Sequence, residues 1–152
     1  MTDPAQAGDE FLARVHRGAV LRLTLDASTL NDPDIDKRSK YAIVLSALLP
    51  DEHVWFALCT SKTDYFDKNP QLRNDVLRWV PGEYGWCRAT VTVVDCTTVY
   101  SLPTAKLRQL FDAGQLAFAG DIRPAHLARI DAITKASRLL SPDQKRWIVP
   151  WD

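Results

Sequence analysis

Leu21, Leu23 and Leu25 alternate with Arg22 and Thr24, a period of two that predicts a half-buried strand. Before it, Phe11, Leu12 and Val15 share one helical face, with Asp9 placed to cap and Gly18 to stop a short helix; residues 1–8 read as a loose tail. Asp26 to Lys40 is polar, contains Asn31-Asp32-Pro33, and reads as a long loop. The continuous apolar run Tyr41-Ala42-Ile43-Val44-Leu45 predicts a buried strand. Pro50-Asp51-Glu52 then turns the chain, and Val54-Trp55-Phe56-Ala57-Leu58 returns as the second arm of a hairpin ending at Thr60-Ser61. Lys62 to Asn74 is polar again, with room for a helical turn over Asp64–Lys68. Val76–Val80 and Ala89–Val94 predict two further strands joined across Pro81-Gly82-Glu83-Tyr84-Gly85, and Thr98–Leu102 a last short one.

After residue 103 the period changes. Leu107, Leu110 and Phe111 follow helical spacing up to Gly114, and Leu127, Ile130 and Ile133 mark a helix after Pro124. Ser141-Pro142-Asp143-Gln144 has the form of a capping box with proline at the first helical position. The whole predicts a single domain over 1–152: an extension with a short helix over 1–17, a mainly β body, and a C-terminal helical tail over 103–152. Short strands followed by helices suggest a small barrel-like sheet with helices outside it.

Composition changes this picture little. The chain has 152 residues, 46% of them apolar, enough for one real core. Nineteen basic residues balance nineteen acidic ones, so any nucleic-acid site must be a local patch. Three cysteines (Cys59, Cys87, Cys96) and three histidines (His16, His53, His126) are scattered without metal-ligand spacing, so no metal and no cofactor is expected. The first residues lack a basic and apolar leader, and the longest apolar run is too short to span a bilayer. The expectation is a cytoplasmic protein without a membrane partner.

Phosphate-cradling glycine loops, GxSxG elbows and HExxH pairs are absent from the sequence. Chemistry must therefore come from Arg, Lys, Ser, Thr, Tyr or carboxylates. Lys37-Arg38-Ser39-Lys40 precedes the buried strand and could neutralise phosphates; it also reads as a solvated cap on that strand. Thr60-Ser61-Lys62 ends the returning strand and could hold a phosphate oxygen; it also reads as a polar strand terminus. The two belong to adjacent strands, so they can converge on one rim. Tyr84, with Arg78 and Arg88 nearby, could stack on unpaired bases, or could simply pack within a glycine-bearing turn. Asp95, beside an apolar strand, reads as a base or as the start of a bulge.

The order of KRSKYAIVLS, FALCTS, VVDCTTVYSLPTAKL and IRPAHLARIDAI resembles the MazF/Kid/PemK group of toxins. The resemblance covers roughly residues 18–140. It implies an SH3-like small barrel and a homodimer. It also implies metal-independent cleavage of single-stranded RNA, restrained by a cognate antitoxin that covers the RNA groove. Lys40 falls where relatives carry an arginine, with Arg38 two residues away, and Thr60 matches their strand-end threonine. Asp95 and Thr97 fall where an Arg-x-Asp pair supplies catalysis. The resemblance therefore implies Lys40, Arg38, Thr60, Asp95 and Thr97 as catalytic positions. The residue reading adds Lys37, Ser61, Lys62, Arg78, Arg88 and Tyr84 as RNA contacts. The replaced Arg-x-Asp pair supports an alternative: a non-catalytic member that binds RNA or a protein partner through the same groove.

Overall fold

The computed structural model describes residues 10–25, 38–46, 53–61, 63–87 and 91–148. The tail over 1–8, the Asp9 cap, most of the Asp26–Lys40 loop and the Pro50-Asp51-Glu52 turn lie outside them. A helical turn over 10–14 (α1) leads into β1 (Ala19–Leu25). β2 (Arg38–Val44) and β3 (His53–Thr60) form the predicted hairpin. α2 (Asp64–Lys68), a 3-10 turn (Pro70–Asp75) and β4 (Val76–Trp79) follow, then β5 (Thr92–Pro103). α3 (Thr104–Asp112), β6 (Leu116–Asp121), α4 (Pro124–Ala136) and α5 (Pro142–Ile148) complete the chain.

The six described strands join one antiparallel sheet in the order β4-β5-β3-β2-β1-β6. The period of two sorts the apolar side chains onto its two faces. Leu21, Leu23, Ala42, Val44, Val54, Phe56 and Leu58 lie on the first face, under α1 and under Leu107 and Leu110 of α3. Val20, Ile43, Ala57, Cys59, Leu77, Trp79 and Val94 lie on the second, under Ile130 of α4 and Ile148 of α5. A small third cluster holds Phe66 of α2 against Val76 and Val93, with Leu72 beside it. Because helices cover both faces, the central strands β2 and β3 read as nearly unbroken apolar runs.

Three expectations change. The sheet is open: β4 and β6 are its two edges and do not pair with each other, so the barrel is not closed. The helical tail contains a strand, since β6 pairs along the outer edge of β1 (Leu23↔Leu116, Leu21↔Phe118), with an irregularity between Val20 and Leu21. Ala89 and Thr90 lie outside the described residues; from Thr92 on, the strands expected at Ala89–Val94 and Thr98–Leu102 are parts of one strand, β5. Its pairing to β3 jumps from Leu58↔Asp95 to Phe56↔Tyr100, leaving residues 96–99 as a wide bulge opposite Ala57. Among the described residues no helix is long and apolar enough to cross a membrane.

Candidate nucleic-acid interface

The basic segment expected in a loop is partly strand: β2 begins at Arg38, whose backbone pairs with Leu25. The β2–β3 register sets Ala42 opposite Leu58. That pairing ends at Ala42↔Leu58; alternation places Lys40, two residues before Ala42, and Thr60, two residues after Leu58, on the first face at the same end of the hairpin. Both residues are half-buried. Thr60 also opposes Val93, and Val93 opposes Arg78 on β4. Thr60, Val93 and Arg78 thus form one cross-strand row over three strands, with Lys40 on the same face of the neighbouring strand β2. Ser61 is exposed just past Thr60. Lys37, Lys62 and Arg88 lie outside the described residues, as does the Arg38 side chain.

The row is interrupted. Val93 is fully buried, and the residue over it is Phe66 of α2. The next residue of that helix, Asp67, pairs with Arg78 at 2.9 Å. α2 therefore separates Arg78 from the Lys40–Thr60 end.

Asp95 and Thr97 open the bulge of β5. The Thr97 backbone N–H donates to Asp95 Oδ1 at 2.9 Å, and its hydroxyl donates to the same oxygen at 2.5 Å. This is the local side-chain-to-backbone bonding that stabilises a break in a ladder. Asp95 lies on the same face as Thr60, one alternation away, since Leu58↔Asp95 neighbours Thr60↔Val93. Behind the bulge, burial pushes the Cys96 thiol up to about 12, and it pushes the Cys59 thiol up as well. Neither is a ready nucleophile.

Tyr84 sits in the turn over 80–87, which is closed by Gly82 N–H to Cys87 O (2.7 Å) and Cys87 N–H to Tyr84 O (3.0 Å). Gly82 has φ +84°, a conformation that favours glycine. The Tyr84 ring stacks on Trp86 (5.5 Å, 16°), meets Trp79 edge-on at 4.9 Å and lies under the Arg123 guanidinium at 4.9 Å. That is the packed-turn arrangement, with its neighbours drawn from the protein. Trp79 Nε1 is buried without a hydrogen-bond partner among the described residues, and the Trp79 ring meets Tyr84 and Trp86 at 61° and 76°.

The same turn holds a cluster the sequence reading did not assemble. The Arg123 backbone N–H donates to Tyr84 Oη at 2.8 Å. The Tyr84 hydroxyl and His126 Nδ1 share a hydrogen bond of 2.6 Å, and His126 Nε2 lies 3.6 Å from Glu83 Oε1. Glu83 is also ion-paired with the Arg123 guanidinium. Local signals exist only in hindsight: Arg123 and Pro124 start α4, and His126 lies within its first turn. Burial, and then the charges of Arg123 and Arg129, hold His126 below its ordinary pKa, while burial raises Tyr84.

A depressed histidine binds its proton in the unfolded chain first. Stability is therefore intact above about 6.5 and declines as pH falls through and below that value. Urea midpoints measured from pH 8 to pH 5 should fall for the wild type and fall less for His126→Gln. Parallel curves for the two would remove His126 from the acid response.

Among the described residues no three His, Cys, Asp or Glu side chains gather as metal ligands. Neither a known protein family nor any curated protein matches the chain.

Proposed function

We propose that this chain binds single-stranded RNA at the end of the β2–β3 hairpin and cleaves it as a toxin-like, metal-independent endoribonuclease. The observation that carries this reading is that alternation places Lys40 and Thr60 on one sheet face at one end of the hairpin, where β2 begins with Arg38. An ammonium and a hydroxyl on neighbouring strands of one face can share the non-bridging oxygens of one phosphodiester. Asp95 is the carboxylate on that face closest in register to Thr60. Thr97 occupies one of its oxygens; the other is the atom a 2′-hydroxyl would meet. In this reading Asp95 takes the 2′-hydroxyl proton, the 2′-oxygen attacks its own phosphorus, and Lys40 and Thr60 bear the charge of the phosphorane. The phosphorus–5′-oxygen bond then breaks as that oxygen takes a proton from the Lys40 ammonium, leaving a 2′,3′-cyclic phosphate and a 5′-hydroxyl end; water later returns the proton to Lys40 and takes the one on Asp95. A homodimer and a cognate antitoxin belong to the same proposal.

One observation favours a second reading, binding without scission. Thr97 stands where the resemblance would place an aspartate, and its donors engage Asp95 within the bulge.

The test is incubation of the purified chain with a long unstructured RNA in EDTA, followed by strand-scission and binding assays on one preparation. Lys40→Ala should weaken binding and lower the log–log salt slope by about 0.7, one phosphate contact on a single strand. It should also slow cleavage by about 10²–10³, the effect of losing one charge-stabilising donor. Thr60→Ala should act in the same direction. Saturable binding without scission would select the second reading. RNA left unbound, or bound equally by wild type and both variants, would remove the site.

A further inference from the structure

We propose that α2 is a lid over the RNA-binding face, shut in this structure by Phe66 and by the Asp67–Arg78 ion pair. The inference rests on the reading that the Lys40–Thr60 end binds RNA, and it adds a regulated second half to that site.

The cross-strand row runs Thr60, Val93, Arg78, with Lys40 on the same face of the neighbouring strand β2. From β2 to β4, at about 4.8 Å per strand, this spans roughly 14 Å, longer than one nucleotide step. Its middle is covered. β3 ends at Thr60, and the chain rises through Thr63 into α2, which lays Phe66 on Val93 and Val76. Asp67 then takes the Arg78 guanidinium that a second phosphate would use. With α2 lifted, a cation stands at each end of a continuous strip with a threonine hydroxyl between them. With α2 down, the strip is divided at Val93 and Arg78 is paired with Asp67.

The lid is lightly held. It has five residues, too few to be stable as an isolated helix. Its N-cap, Thr63, makes no side-chain capping bond. Its apolar anchor is the smallest of the three clusters, separate from both main cores. The ion pair is 43% exposed on Arg78 and 56% on Asp67, so phosphate can compete for the arginine at little cost. Opening of such a segment is a local event that leaves the sheet intact.

The experiment combines hydrogen exchange with binding of a fluorescent unstructured oligoribonucleotide, using the full chain, Asp67→Asn, Phe66→Ala and Asp67→Asn/Arg78→Ala. Amides of α2 should exchange at least tenfold faster than those of β3 in the free protein, and faster again with RNA bound. Asp67→Asn should bind RNA about 1.5- to fivefold more tightly, the range expected on releasing an exposed pair. Adding Arg78→Ala should cancel that gain. Phe66→Ala should increase exchange in α2 while β3 stays protected.

Lys40-dependent RNA binding that neither Asp67→Asn nor Phe66→Ala tightens would overturn the lid and leave the function standing. α2 amides as slow as those of β3 would overturn it whatever the RNA does. RNA bound by none of the proteins would overturn the function, and the lid with it. RNA bound by Asp67→Asn but not by the wild type would support both.

Discussion

Arg17→Ala should destabilise the fold by about 3 kcal/mol, equal to ~6–12 °C in Tm for a domain of this size. The guanidinium joins three separate parts of the chain. One nitrogen donates to the carbonyls of Leu45, just past β2, and of Ile148, at the end of α5 (2.7 Å for the latter). The other pairs with Asp131 of α4 at 2.5 Å. Arg17 and Asp131 are each only 22% exposed, so removing the arginine leaves a largely desolvated carboxylate and two carbonyls without their donor. The loss should show first at α5. Tryptic cleavage at Lys145 or Arg146 should accelerate before the sheet unfolds, and the urea transition should shift with a smaller slope if α5 detaches separately. Asp131→Asn keeps both carbonyl bonds and should cost about 1–2 kcal/mol. Equal effects of the two substitutions would mean that the carbonyl contacts contribute nothing.

Phe56→Ala should cost about 3–5 kcal/mol, the range for a large buried aromatic. Phe56 is fully buried at the centre of the first face, among Ala42, Val44, Val54 and Leu58, with the Tyr100 ring 6.3 Å away. It is also the last residue paired before the β5 bulge, and pairing resumes at Leu58↔Asp95. A cavity there removes packing on both sides of an already broken ladder. Phe56→Leu should cost under about 1.5 kcal/mol, because most of the volume remains. A urea midpoint for Phe56→Ala within about 1 kcal/mol of wild type would mean the bulge relaxes into the space.

What the sequence made legible follows from range. The β2–β3 hairpin was readable because its two arms are apolar runs separated by a turn, and burial on both faces enforces that pattern. The capping box was readable because its bonds are local: Gln144 N–H donates to Ser141 Oγ (3.1 Å), and Ser141 N–H to Gln144 Oε1 (2.9 Å). β5 looked like two strands because the Asp95–Thr97 turn shifts the alternation between Val94 and Tyr100. β6 escaped because Leu116-Ala117-Phe118-Ala119-Gly120 has weak alternation and little β propensity; it is a strand because β1 offers it an edge. Barrel closure would depend on contact between β4 and β6, which no local pattern encodes.

The candidate site divides the same way. Lys40 and Thr60 were brought together by reasoning along one hairpin. The interruption at Val93 was not visible, because it depends on how a five-residue helix folds back over the sheet. The Tyr84–His126 bond joins residues 42 apart, and each alone reads as ordinary packing.

The position of β6 also sets a timetable for synthesis. β1 pairs inward with β2 early, but its outer edge waits for residues 116–121. About 90 residues separate Leu25 from Leu116. At ~5–20 residues per second the ribosome needs roughly 5–20 s to deliver the strand that covers that edge. During that interval a nascent chain carries an open row of backbone donors and acceptors flanked by Leu21 and Leu23, the kind of surface on which neighbouring chains on one message add to each other. Chains released before residue 116 should therefore accumulate as insoluble material, while those extending past Asp121 stay dispersed.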